Sequence, residues 1–234
     1  MIIALNNKCN FTHEEFLEYQ ERLKSLSIGS NEVILFPPMV YLSEVTPYNM
    51  LLGSQNVSKF ETGQHTGEIS ASQLKSINVS YCLVGHYERR SEQKENERDI
   101  NLKIKNLLSE DIVPILCVGE TRLERETGKT NLVIERERLV SFVDVSPEQL
   151  SRVIIAYEPN WVIGNGETLS QEELEETILH IKKLFPNNKI LYGGSINEET
   201  IANIDKRLPI DGYLIGNLSL YPDLLQRIFN KIEN

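Results

Sequence analysis

A closed parallel (β/α)8 barrel is the fold that this 234-residue sequence predicts. Three observations point to it. Eight short runs of apolar, often β-branched residues are spread along the whole chain, longer amphipathic stretches separate them, and helix-start signatures recur between the runs. The length also suits a barrel, which commonly folds as one domain at about this size. A doubly wound open sheet is the alternative that the same alternation allows, but eight βα units fit closure better.

Taken in order, the apolar runs occupy residues 2–5, 33–36, 51–55, 81–84, 113–118, 153–157, 190–192 and 213–215. Thr12 and Glu15 form a capping-box pattern after the first run, in which the two side chains satisfy backbone N–H groups that a helix start leaves unpaired. Ser70 with Gln73, and Ser170 with Glu173, repeat it. Ser146 precedes Pro147 and Tyr221 precedes Pro222, and proline suits the first turn of a helix because its missing N–H is not needed there. Along 170–184, Leu174, Ile178, Ile181 and Leu184 recur at helical spacing, leaving Glu172, Glu175, Glu176 and Lys182 for solvent. Such a helix packs by one face.

Composition restricts the partners. Glycines and prolines are scattered, with no linker and no low-complexity tract, so residues 1–234 read as a single domain. A net charge of −10 without a lysine or arginine cluster argues against a nucleic-acid partner. A small anion remains compatible, because local donors can oppose the overall field. No apolar stretch approaches the ~18 residues of a membrane span, and the start lacks the pattern of a secretory signal. Cys9, Cys82 and Cys117 have no metal-like spacing, and an odd count suits reduced thiols. The expected address is the cytoplasm.

In a parallel barrel the residues just past each strand converge on one mouth. Here they are Asn6 and Lys8 after the first run, His86 and Glu88 after the fourth, Glu158 after the sixth, Gly193, Gly194 and Ser195 after the seventh, and Gly216 with Asn217 after the eighth. Singly, most have ordinary readings: a lysine in solvent, a hydrogen-bonded histidine, a glycine turn. Glu158 is harder to dismiss, because a carboxylate closing the run VIIAY loses hydration. Two glycine-containing ends on neighbouring strands also let backbone N–H groups approach an anion.

Six segments, NNK, HTGEIS, CLVGHYERR, CVGE, AYEPNWVIGNGE and YGGS, together resemble the triosephosphate isomerase family, in that family's order and across nearly the whole chain. GHYERR and YEPNW are the specific signals. The resemblance implies that Glu158 is a base moving a proton between adjacent carbons of a triose phosphate, and that His86, as neutral imidazole, donates to the developing enediolate. That family's glutamate and histidine are a worked example of tuned acid and base groups. By the same resemblance Lys8 supplies fixed positive charge, Asn6 orients that region, and Gly164, Ser195, Gly216 and Asn217 seat the phosphate. Pro159, Asn160 and Trp161 would be the hinge of a lid with Gly164, Asn165 and Gly166 at its tip. Tyr192 and Ser195 would meet the closed lid, and Glu120 would hold Trp161 when it is open. No metal or organic cofactor is implied. Glu88 would pair with Lys8, Arg89 and Arg90 would brace loops, and Cys82 and Cys117 would lie in the core. Residues 64–68, with Thr66 at their centre, would reach a second subunit near Asn6 and Glu88 in a homodimer.

The sequence departs from the family at several positions. Leu5 stands where glycine is common, Asn7 where tryptophan is usual and Tyr87 where serine is usual. Asn160 fills a usually apolar hinge position, Glu167 one where lysine is frequent, and Asn217 replaces a glycine. Two alternatives accompany the triose reading: an isomerase of a longer ketose or aldose phosphate, and a phosphate-binding barrel without turnover.

Overall fold

Strand ladders form along the apolar runs, with ends within one residue of those runs. A computed structural model describes residues 1–46, 48–162 and 168–233. The strands are β1 Ile2–Asn6, β2 Glu32–Phe36, β3 Leu51–Ser54, β4 Tyr81–Val84, β5 Val113–Val118, β6 Ile154–Tyr157, β7 Ile190–Tyr192 and β8 Gly212–Ile215. Each pairs in parallel with the next, and β8 returns to β1 through Ile2 opposite Gly212 and Leu5 opposite Ile215, so the sheet is a closed barrel. The open-sheet alternative falls.

Strand residues alternate between two apolar environments, because successive side chains point to opposite faces. Ile2, Ala4, Ile34, Phe36, Leu83, Ile115, Ala156, Leu191 and Leu214 fill the barrel interior. Their neighbours Ile3, Leu5, Val33, Leu35, Ile155 and Ile215 pack in a second cluster with helix residues such as Phe16, Ile104, Ile178 and Phe229. Leu5 thus belongs to the layer between barrel and helices.

Helices occupy the outside: α1 His13–Leu23, α2 Ala71–Ser76, α3 Tyr87–Glu92, α4 Glu97–Ser109, α5 Arg122–Glu126, α6 Thr130–Ser141, α7 Pro147–Leu150, α8 Gln171–Leu184, α9 Glu198–Asn203 and α10 Pro222–Glu233. Reciprocal capping boxes occur at Thr12, Ser70 and Ser170, as their spacing predicts. Both proline starts also hold, and Ser146 forms a further capping box with Gln149. One helix after every strand is corrected. The chain after β2 makes a 3-10 turn, Met39–Glu44, while β4 and β5 are each followed by more than one helix. Pro37 and Pro38 disfavour α geometry in the residues before them, so the chain stays extended past β2 through Pro38, at ψ 136°, and the 3-10 turn begins at Met39.

Candidate active site

A cavity of about 320 Å3 opens at the carboxyl ends of the strands. Asn6, Lys8, His86, Glu158, Gly193, Gly194, Ser195, Gly216 and Asn217 all contribute to its lining. Five strand ends have brought these residues together from positions up to 211 apart in sequence, Asn6 to Asn217.

Glu158 is the first residue beyond β6, and its N–H donates to the Val118 carbonyl at 2.8 Å, which anchors the carboxylate next to β5. It is 2% exposed. Its Oε1 lies 3.2 Å from His86 Nε2, and its Oε2 accepts from the Tyr87 N–H at 3.4 Å. Tyr87 therefore steadies the Glu158 carboxylate through its backbone, which any side chain at that position would permit. His86 caps α3, and its Nδ1 accepts from the Glu88 N–H at 3.3 Å. A ring nitrogen that accepts cannot carry a proton, so this bond assigns the imidazole proton to Nε2, on the side of Glu158.

Lys8 follows β1 in the left-handed region, at φ 55°. A lysine pays strain there, so neighbouring groups must hold it. Asn6 Oδ1 accepts from the Lys8 N–H at 3.1 Å, and Gln55 Nε2 donates to the Lys8 carbonyl at 2.9 Å. The ammonium then reaches Glu88 Oε1 at 2.6 Å. Both ends of this lysine are fixed.

Two close approaches explain glycines at the opposite wall. A Cβ on Gly193 would stand 3.0 Å from Glu158 Cγ, and a Cβ on Gly216 would stand 3.2 Å from Lys8 Cε. These positions give the two charged side chains room. Asn217 opens the 3-10 turn Asn217–Leu220 and does not use the left-handed conformation.

Beyond the cavity, Trp161 Nε1 donates to Glu120 Oε1 at 3.1 Å, and the Tyr157 hydroxyl donates to the same carboxylate at 3.2 Å. Burial pushes the Glu120 carboxyl up from its ordinary range, opposed by these donors and by Arg125. Pro159 and Asn160 continue from the base. Asn160 Nδ2 donates to the Gly119 carbonyl at 3.0 Å, which ties this segment to the end of β5. Tyr192 does not line the cavity: it is buried, its ring 6.2 Å from that of Tyr157. The positions expected at a lid tip, Gly164, Asn165 and Gly166, lie with Glu167 outside the described residues. Thr66 is exposed in a surface loop, away from the cavity lining.

Bracing roles fall on Arg89, which pairs with Glu95 at 2.6 Å, and on Arg90, which donates to the Gly85 carbonyl at 2.6 Å and the Cys117 carbonyl at 3.1 Å. Cys82 and Cys117 are buried, and burial pushes both thiols up. Sequence reasoning missed Gln55, Ser219 and Glu137. The Glu137 carboxylate, 3% exposed, accepts from the Gly119 N–H at 3.2 Å just past β5, and burial raises it to about 7 against the opposing pull of Arg90. Its one sequence signal was a carboxylate at the spacing of Val133 and Ile134, on the inward face of α6. Among the described residues, no group of three His, Cys, Asp or Glu side chains could hold a metal ion.

A family model for triosephosphate isomerase matches residues 1–232. The chain belongs to the triosephosphate isomerase family. It is 38% identical to a triosephosphate isomerase of Caldanaerobacter subterraneus subsp. tengcongensis, covering 98% of each chain. Identity to that of Clostridium tetani is 35%, over 98% of this chain and 95% of the relative. A relative from Mesomycoplasma hyorhinis is 44% identical over 173 residues, covering 74% of this chain and 70% of its own. The protein is thus an isomerase with the barrel of its family, and no helix among the described residues is long and apolar enough to cross a membrane. Asn160 contacts the Gly119 carbonyl through its side-chain amide, and Tyr87 contacts Glu158 through its backbone N–H.

Proposed function

We propose that this chain interconverts dihydroxyacetone phosphate and D-glyceraldehyde 3-phosphate by proton transfer, with Glu158 as base. The observation that carries the reading is the 3.2 Å contact between Glu158 Oε1 and His86 Nε2 in a cavity shared with Lys8. Substrate carbon would enter between these groups. Glu158 removes a proton from one carbon and returns it to the next, while His86 Nε2–H donates to the oxygen where negative charge collects. A proton beside a carbonyl is only weakly acidic, and preoriented donors lower the barrier by stabilising the enediolate.

Lys8 adds positive charge to the same oxygen-rich region, held by Asn6 from below. Backbone N–H groups near Gly194, Ser195, Gly216 and Asn217 receive the phosphate, with Gly164 joining them when the lid closes. Closure over Pro159 and Trp161 excludes water and strengthens Glu158 as a base. The residues need no metal or organic cofactor for these steps.

A coupled assay of Glu158→Gln tests the base. We expect kcat to fall about 10²–10⁴-fold, the usual worth of a positioned general base, with the circular dichroism spectrum unchanged. Turnover near that of the parent would exclude Glu158 from the role.

The single barrel domain would work as a cytoplasmic homodimer. Residues 61–68 are exposed, and Phe60 stacks on His65 with centroids 4.0 Å apart, which gives the loop around Thr66 a preformed shape for a partner surface. Sedimentation velocity should find a dimer that Thr66→Arg dissociates; a monomeric parent protein would reject it. Cell fractionation checks the compartment, with membrane or exported recovery counting against it.

A further inference from the structure

Next to the cavity lies a buried polar network that none of the proposed catalytic roles uses. Asn7 is 0% exposed and does not line the cavity. Its Nδ2 donates to the Tyr19 hydroxyl at 3.1 Å and to Ser219 Oγ at 3.2 Å. Ser219 Oγ donates in turn to the Asn6 carbonyl at 3.0 Å, and the Tyr19 hydroxyl donates to the Ser219 carbonyl at 2.7 Å. Three elements, the end of β1, α1 and the 3-10 turn after β8, meet in this one set of bonds.

The placement has a mechanical consequence. Ladder pairing between β1 and β8 ends at Leu5 and Ile215, so it does not extend to Lys8 or to Gly216 and Asn217. Yet these segments pass closely, with Lys8 Cε 3.2 Å from where a Gly216 Cβ would stand. Lys8 also sits in a strained left-handed conformation, which persists only where surrounding structure over-determines it. Ser219 N–H donates to the Gly216 carbonyl at 2.8 Å, so a tie to Ser219 is a tie to the whole turn.

We propose that Asn7, Tyr19 and Ser219 are positioning residues that hold the Lys8 ammonium in register with the anion-binding turn at Gly216 and Asn217. The inference rests on reading that turn as the phosphate seat. An anion held between the ammonium and the turn senses any change in their separation, whereas Glu158 and His86 stand on other strands and keep their mutual distance. Burial pushes the Tyr19 phenol well above its ordinary range, which keeps the hydroxyl protonated as a donor.

The test uses Tyr19→Phe, which deletes one oxygen at nearly constant volume, together with Ser219→Ala and the double variant. Inorganic phosphate is titrated by calorimetry, and kcat and KM are measured with triose phosphate. Each single variant should weaken phosphate binding about threefold to tenfold, the range that one lost hydrogen bond gives. KM should rise in parallel, and kcat should fall by a similar or smaller factor, because the Lys8 ammonium also faces the oxygen where charge collects. The double variant should be little worse than the weaker single one, since both cuts open the same network. Phosphate affinity within about twofold of the parent in folded Tyr19→Phe overturns the proposal, as does full additivity of the two changes. If Ser219→Ala fails to fold, Tyr19→Phe decides by itself. Absence of turnover in the parent would sink the isomerase reading and leave the phosphate titration readable; absence of phosphate binding by the parent overturns the inference itself.

Discussion

At the residue scale, the site works through clearances of a few tenths of an ångström. Gly193 is the sharpest case, since a methyl group there would press on Glu158 Cγ from 3.0 Å and on Leu214 Cβ from 3.4 Å. Gly193→Ala should therefore displace the carboxylate and reduce kcat/KM on the order of tenfold, because small errors in reacting geometry are costly. A coupled assay and a thermal melt check it; unchanged kcat/KM in folded protein would show that the wall yields freely. The place of His86 at a strand end was legible in GHYERR, but its tautomer was not. It depends on the Glu88 N–H reaching Nδ1, a contact made by backbone geometry after the chain turns into α3.

At the element scale, helix starts were the most readable boundaries, because a capping box is a local exchange of hydrogen bonds over four residues. Loop bracing was less readable, since its partners are distant. Lys103, on the inner face of α4, donates to Glu95 and to Asn56 Oδ1, the latter at 2.7 Å. Although burial pushes Glu95 up, Lys103 and Arg89 outweigh it and hold that carboxyl below its ordinary range. Replacing Lys103 by methionine leaves the buried Glu95 carboxylate paired with Arg89, and urea denaturation should register a loss of about 3 kcal/mol, the usual cost of breaking a buried pair. A loss below about 0.5 kcal/mol would mean that the pair contributes nothing net.

At the scale of the whole molecule, Glu137 makes stability depend on pH. Its carboxyl is raised by burial from 4.5 to about 7 in the folded chain. The folded state therefore binds more protons than the unfolded state between those values, and stability falls as pH rises through that window. Below about pH 4.5 the penalty is absent; above about pH 7 it is complete, at a few kcal/mol. Glu137→Gln removes the titration and keeps one acceptor oxygen for the Gly119 N–H, while its amide nitrogen cannot accept from Arg90. Urea melts should find the variant more stable than the parent at pH 8 and similar to it near pH 5. An equal difference at both pH values would remove Glu137 from the pH dependence. Activity need not follow stability, because Glu137 does not line the cavity.

The sequence by itself determined the eight strands, half of the described helix starts, and the strand-end positions of Asn6, Lys8, His86 and Glu158, because apolar periodicity and capping are local and a carboxylate after VIIAY is conspicuous. Only the tertiary structure decided how those ends face one another. The 3.2 Å separation of Glu158 from His86, the strained Lys8 backbone held by Asn6 and Gln55, and the Asn7 link to Ser219 all arise when the barrel closes. Closure sets β1 beside β8 and joins residues 212 positions apart, Asn7 and Ser219, and no local pattern in a chain encodes a contact over that distance.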